Sequence, residues 1–312
     1  MKILLAYDGS SCADAALNDL QRAGLPTVAE VRILSVAEVF LPPPSDAPPG
    51  SAEPLPEVVQ RAHARALQAV EEARSLAMQA RDRVLAMFPG WQVQADARAD
   101  SPAWAVIKEA DAGQPDLVVV GSQGRSALGR LVLGSVSHKV LTEVRCSVRV
   151  ARGRDVVQNT PIRLIIGVDG SAGAIAAVQA MAARNWPDGT EIQLLAALEP
   201  RMSIMGSPVP PAMAAWVRKD DTDDLAWVSR MVEALAEQLQ APGVTVSSVL
   251  KEGDPKRLLI EEAEQWNADT ICLGARGLSG VARFVLGSVS TAVAMRAPCS
   301  VEVIHHGAEA LC

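Results

Sequence analysis

Hydrophobic and polar positions along the chain alternate between two rhythms, and the whole alternation happens twice. The opening Ile3-Leu4-Leu5-Ala6 is a short apolar run ending at a carboxylate, the pattern of a strand buried on both faces. Comparable runs fall at Val31–Val36, Gln92–Ala97, Leu117–Val120 and Cys146–Val150, and again at Leu164–Val168, Ile192–Ala197, Thr245–Leu250, Thr270–Leu273 and Cys299–Val303. Between them, Ala, Leu, Val and Met recur at helical spacing, most extensively over Glu57–Phe88 and Ala212–Leu239. Ser101-Pro102 and Asp254-Pro255 each place a capping residue before a proline at the first helical position, and so predict helix starts. Strands alternating with helices imply a parallel sheet with right-handed crossovers and helices on both faces. The predicted class is α/β, with five strands in each half.

The halves are copies. Residues 2–10 read KILLAYDGS and residues 163–171 read RLIIGVDGS. Later, DLVVVGSQGRSALGRLVLGSVS from Asp116 is matched by DTICLGARGLSGVARFVLGSVS from Asp269, and their last six residues are identical. Each half closes on a similar segment, Cys146-Ser-Val-Arg-Val and Cys299-Ser-Val-Glu-Val. Pro-rich stretches at Leu41–Pro56 and Pro200–Pro211 stop both helix and ladder pairing and read as surface loops. A polar stretch at Arg152–Thr160 reads as the linker.

Composition narrows the partners. The 312 residues are 49% hydrophobic but only 3% aromatic, so the cores must be built from Val, Leu, Ile and Ala. The net charge of −7 and the lack of a basic run argue against nucleic acid as a partner. No run of 18 apolar residues predicts a membrane span, and the N-terminal run reads as a strand, not a signal peptide. Five scattered cysteines without a Cys-x-x-Cys fit reduced thiols, hence an expected cytoplasmic location. Cys146 and Cys299 read as core thiols. The four histidines have no metal-ligand spacing, and Asp220, Asp221, Asp223 and Asp224 read as a solvated helix face or helix start.

The informative chemistry is a glycine loop. Gly121-x-x-Gly124, nine residues, then Gly134-Ser135 follows one apolar strand; Gly274-x-x-Gly277, nine residues, then Gly287-Ser288 follows another. At the carboxyl ends of parallel strands, glycines let a backbone approach a phosphate, and a helix start offers N–H groups and a positive dipole end to an anion. The helices predicted there are Ser137–Val144 and Ser290–Met295. The spacing is neither Gly-Lys-Ser/Thr after a P-loop nor Gly-x-Gly-x-x-Gly.

This pattern resembles the universal stress protein family, whose ATP-binding members carry Gly, two residues, Gly, nine residues and Gly-Ser/Thr. The resemblance runs twice over nearly the whole chain, from the Asp-Gly-Ser turns to the closing Cys-x-Val segments. It implies two tandem doubly wound domains, Rossmann-like, at 1–152 and 161–306. It further implies that Asp8, Gly9 and Ser10, with Asp169, Gly170 and Ser171, meet the adenosine part of a nucleotide, and that Val36 and Ala197 line the adenine pocket. Gly121, Gly124, Arg125, Arg130, Gly134, Ser135, Val136 and Ser137 would hold the phosphates in the first half. Gly274, Arg276, Gly277, Arg283, Gly287, Ser288, Val289 and Ser290 would do so in the second. The implied ligand is ATP, or ADP or AMP, with Mg²⁺ or Mn²⁺ on the phosphate oxygens. The implied role is a regulatory binding protein of the stress response, with unidentified protein partners and an internal pseudo-dimer, or a homodimer besides.

Two departures fall on the closing strand, which in the family often pairs across a dimer. Ser147 and Ser300 stand where most relatives have proline, and Arg145 precedes Cys146 where Pro298 precedes Cys299. Other readings stay open at this point. Asp8 and Asp169 also read, less strongly, as caps of the helices that follow, and Arg130 and Arg283 equally as solvated side chains. A slow ATPase or autokinase acting at Ser135 or Ser288 is one alternative function; a nucleotide-free scaffold or chaperone-like module is another. No catalytic set is predicted, because no base stands beside the loop serines and no lysine stands in the loop.

Overall fold

The computed structural model describes residues 1–39, 57–124, 133–153, 160–198, 224–277 and 286–305. The first half runs β1 (Lys2–Ala6), α1 (Ser11–Asp19), β2 (Glu30–Ala37), α2 (Glu57–Met87), β3 (Gln92–Ala99), α3 (Pro102–Gly113), β4 (Leu117–Gly121), α4 (Ser135–Glu143) and β5 (Ser147–Ala151). The second repeats it as β6 (Arg163–Gly167), α5 (Ala172–Ala182), β7 (Thr190–Leu198), α6 (Asp224–Glu237), β8 (Val244–Glu252), α7 (Pro255–Gln265), β9 (Thr270–Gly274), α8 (Ser288–Arg296) and β10 (Ser300–Ile304). The Pro-rich stretches 41–56 and 200–211, and Asp220, Asp221 and Asp223, lie outside the described residues.

Within each half the strands are parallel, as their apolar runs predict, and both faces are covered. Ile3 and Leu5 of β1 join a core with Leu17 of α1 and Ala77, Ala80 and Val84 of α2. Leu4, between them, faces the opposite core with Val106 of α3 and Val140 of α4. Alternation of side chains across the strand produces this division. Ala66, Ala73, Ala77 and Ala80 form the buried stripe of α2, so the long helix meets the sheet through small side chains.

The sheet order is β3-β2-β1-β4-β5-β10-β9-β6-β7-β8. The two five-stranded sheets are therefore one sheet of ten, joined where β5 and β10 pair antiparallel. Val148, Val150, Val301 and Val303 belong to a single core that both halves share. On the other face, Arg149 stands opposite Glu302, both essentially inaccessible at 1% and 0%. Arg149 donates from Nε to Asp19 at 2.6 Å, from one terminal nitrogen to Glu302 at 3.1 Å and from the other to Thr270 Oγ1 at 2.9 Å. Arg184 is the second cation on Glu302. Burial alone would raise the Glu302 carboxyl, but Arg184 and Arg149 outweigh it and hold it below the ordinary carboxylate range.

Ser147 and Ser300 work in this seam. Ser300 Oγ accepts the Arg152 N–H at 2.9 Å and donates to Asp19 at 2.7 Å, while Ser147 Oγ accepts the His305 N–H at 3.3 Å. Proline could do none of this. Arg152, expected in the linker, is instead buried and donates to the carbonyls of Ala294 and Cys299. Farther along the seam Arg22 pairs with Asp269 at 2.7 Å, and the Asn185 N–H donates to the Gly24 carbonyl at 3.0 Å.

Helices α3 and α7 begin at Pro102 and Pro255, as predicted. Asp254 caps α7 by accepting the Lys256 N–H at 3.0 Å, but the Ser101 side chain makes no cap bond, and its N–H donates to Asp100 instead. Helices α4 and α8 begin at Ser135 and Ser288, two residues before the predicted Ser137 and Ser290. Gly134 and Gly287, extended at φ/ψ of −65°/155° and −64°/151°, are their N-caps.

Candidate functional site

The first strand of each half lies between the second and the fourth, so the strand order reverses beside it. In open parallel sheets the crevice at that reversal, beyond the carboxyl ends of the strands, is where ligands sit. The Asp-Gly-Ser turns and the glycine loops both come to this edge.

Just past β1, the Tyr7 N–H is held by the Leu34 carbonyl at 3.0 Å, and the buried Ser35 hydroxyl donates to the Tyr7 carbonyl at 2.6 Å. Asp8 follows. Its Oδ1 accepts the Ser10 N–H at 3.0 Å across Gly9, whose φ of 74° favours glycine. Ser10 Oγ then accepts the Ala13 N–H at 3.1 Å and caps α1. The second half repeats the turn: Ser171 N–H to Asp169 Oδ1 at 2.9 Å, Gly170 at φ 76°, and Ala174 N–H to Ser171 Oγ at 3.1 Å. The serines, not the aspartates, are the helix caps. Each aspartate fixes the turn that carries its own carboxylate.

The glycine loop meets that carboxylate. A Cβ built on Gly124 would lie 3.2 Å from Asp8 Oδ2, and one on Gly277 would lie 2.5 Å from Asp169 Oδ2. The far end of each loop folds back to the same place. The Gly134 N–H donates to the Ser122 carbonyl at 2.8 Å, and the Gly287 N–H to Ala275 at 2.7 Å. The buried hydroxyls of Ser137 and Ser290 donate to Gly121 and Gly274 at 2.6 and 2.7 Å, tying the helix start to the strand end. Those two hydroxyls therefore brace the loop. Ser135 and Ser288, at the first helical position, are exposed. The N–H groups of the first turn lack intrahelical acceptors, so glycine backbone, helix start, serine and carboxylate converge in each half.

Val36 and Ala197 are half-buried and pack on the shared core from the second strand of each half, as do Val136 and Val289 from the first turn of α4 and α8. The Arg276 carbonyl accepts the Ser171 hydroxyl at 3.3 Å. Arg125, Arg130 and Arg283 lie outside the described residues.

The two sites are not identical. Gly173 in α5 stands where the first half has Cys12. A Cβ on Gly173 would fall under 3.0 Å from the Arg276 carbonyl, and one on Gly274 equally close to the Gly173 backbone. The corresponding distance from Gly121 to the Cys12 backbone is 3.1 Å. Helix and loop thus approach more closely in the second half. A glycine inside a helical pattern is the sequence signal of such a close contact.

One tyrosine and two thiols are held in their protonated forms. Burial, then the 2.7 Å bond to Asp14, pushes the Tyr7 hydroxyl up to about 12, so it stays a donor. Burial pushes the Cys146 thiol up to about 12 and raises Cys272 as well. Cys299 is fully buried, as expected, whereas Cys146 is half-buried. No group of three or more His, Cys, Asp or Glu able to hold a metal occurs among the described residues, nor does a helix long and apolar enough to cross a membrane.

Comparison with known proteins follows the repeat. The profile of the universal stress protein family matches residues 1–152 and again 163–305. A universal stress protein of Mycolicibacterium smegmatis is 28% identical over 306 residues, covering 97% of this chain and 96% of its own. One from Mycobacterium tuberculosis (strain ATCC 25618 / H37Rv) is 30% identical over 200 residues, covering 57% and 58%. Among solved structures, a universal stress protein from Archaeoglobus fulgidus superposes with a TM-score of 0.64 over 98% of both chains at 21% identity, a likeness of fold.

Proposed function

The chain belongs to the universal stress protein family, and we propose that each half holds an adenine nucleotide, its phosphates at the glycine loop and its adenosine beside the Asp-Gly-Ser turn. The observation that carries this reading is the meeting of Gly124 with Asp8 and of Gly277 with Asp169. Two segments more than a hundred residues apart in sequence converge at a helix start, twice, around backbone that lacks side chains. Such a cradle suits a phosphate, whose charge the first-turn N–H groups and the helix dipole favour. The exposed Ser135 and Ser288 add hydroxyl donors.

A divalent cation fits this site as a passenger of the phosphates. With no three-ligand group among the described residues, Mg²⁺ or Mn²⁺ would take phosphate oxygens and water, its usual habit in nucleotide sites. It would supply charge neutralisation there. No base beside the loop serines and no lysine in the loop favour a binding role over catalysis, so nucleotide occupancy becomes the variable that unidentified partner proteins read.

The test is direct. Freshly purified protein is denatured, and whatever it releases is identified and counted by mass spectrometry. One or two equivalents of ATP, ADP or AMP per chain are expected. An empty protein that also gives no heat with Mg-ATP in calorimetry would refute the proposal.

A further inference from the structure

The seam between the halves has an approximate two-fold axis, and its position can be read from the register. The repeat aligns Val148-Arg149-Val150 with Val301-Glu302-Val303. On the ladder, Val301 faces Val150 and Val303 faces Val148, so rotation exchanges the valine pairs. The pair of Arg149 and Glu302 maps onto itself. At the one place where the two halves meet their own equivalents, they carry opposite charges.

Pairing two first halves in this geometry would set Arg149 against Arg149. Asp19 comes from the same half and would still hold Nε, but both terminal nitrogens would lose their acceptors. Glu302 would be replaced by arginine, and Thr270 by its counterpart Leu117. Two second halves would set Glu302 against Glu302 in a place with no solvent access, each keeping Arg184 of its own half but losing Arg149. Like charges directly opposite on a ladder repel, and a buried charged group that loses a partner is costly.

A second contact is keyed in the same sense. Gly24, at φ +61°, lies under the Trp186 ring so closely that a Cβ would be 2.8 Å from Cε3. The repeat aligns Gly24-Leu25-Pro26 with Asn185-Trp186-Pro187. Two second halves would press Trp186 onto Asn185, whose side chain has no room there. Two first halves would leave Leu25 where the indole ring now fills the space.

We infer that the seam selects unlike halves: a β5 edge accepts a β10 edge, of its own chain or of a second copy, and rejects another β5. Chains that open can rejoin internally or by exchanging halves, but they do not build like-with-like pairs.

The experiment uses the full chain in two isotopic forms, each with a protease site placed within residues 154–159 and cut after purification. The cut forms are mixed, unfolded in urea, refolded by dilution and weighed by native mass spectrometry. Unlike pairs of scrambled isotope content are expected to exceed like pairs by at least about tenfold, equivalent to about 1.4 kcal/mol. Comparable amounts of like and unlike pairs would overturn the inference. So would a failure of any halves to pair, since selection would then belong to the covalent tether. Combining Glu302→Gln with Trp186→Leu is expected to bring the ratio down toward equality. An unchanged ratio would remove these two contacts as its source.

Discussion

Gly124 and Asp8 face each other across the switch point of the first half in close contact: a Cβ on the glycine would come 3.2 Å from the carboxylate oxygen. The same relationship recurs more tightly between Gly277 and Asp169, at 2.5 Å. Alanine is therefore expected to nudge the carboxylate at Gly124 and to displace it at Gly277. Nucleotide affinity in that half should fall at least about tenfold, the second half being the more sensitive, as calorimetry on Gly124→Ala and Gly277→Ala would report. Equal, undiminished affinities would mean the carboxylate plays no part in binding.

Gly134 and Gly287 make a contrasting pair. Their extended backbone suits any L-residue, and a Cβ would touch neighbouring loop atoms at 3.2 Å or more. Valine at either position should cost about 1 kcal/mol, since it is a poor helix cap. It should nonetheless abolish binding in that half only. Urea unfolding beside nucleotide counting separates the two effects, and retained binding in the double variant, with the fold intact, removes the phosphate assignment.

Asp8→Ala removes the acceptor of the Ser10 N–H while Ser10 continues to cap α1. A loss of about 1 kcal/mol of stability is expected, together with a larger loss of nucleotide affinity. An unfolded variant would show that the turn, more than the ligand, needs this carboxylate.

Gly173→Ala sets two effects against each other. Alanine favours a helix over glycine by about 0.5–1 kcal/mol, yet its Cβ would strike the Arg276 carbonyl. Crowding of that kind typically costs about 1–3 kcal/mol, so a lower melting temperature is expected. The matching change in the first half, Cys12→Ala, should be close to neutral. A stabilised Gly173→Ala protein would mean that loop and helix separate easily.

Glu302 supplies a pH signature. Its carboxyl is held below the ordinary range in the folded protein, so the stability it brings is present above the unfolded-state value of about 4.3. That stability is lost as pH falls through the lowered folded value. Glu302→Ala at neutral pH leaves Arg149 and Arg184 without their shared partner and should cost about 3–5 kcal/mol. Glu302→Gln should flatten the acid limb of the stability profile, measured by urea midpoints between pH 3 and 7 (about the window over which carboxylates titrate).

Much of this architecture was legible in the sequence because duplication supplied an internal control. The run ending at Asp8 and the one ending at Asp169 read as first strands, and the glycine spacings placed both loops after β4 and β9. What escaped had a physical reason in each case. The seam itself was expected only from the resemblance, as an internal pseudo-dimer joined by closing strands; the pattern alone does not give it, because a strand's apolar run looks the same whether its neighbour is parallel, antiparallel or absent. The pairing of Arg149 with Glu302 cannot be seen in the sequence, because only the register sets the two opposite each other. Arg152 was assigned to the linker because its acceptors, Ala294 and Cys299, lie far along the chain. The starts of α4 and α8 were misplaced by two residues because a glycine in extended conformation can cap a helix without a side chain.

The antiparallel join of β5 and β10 has a consequence for how the molecule communicates. Strands of the first half point their carboxyl ends one way and those of the second half the other, so the two crevices open on opposite margins of one sheet. A macromolecule docked at one mouth leaves the other unobstructed, and two docked molecules need not collide. An influence of one occupant on the other has a direct route through the hydrogen-bonded strands, the valine core that both halves share and the charged knot beside it.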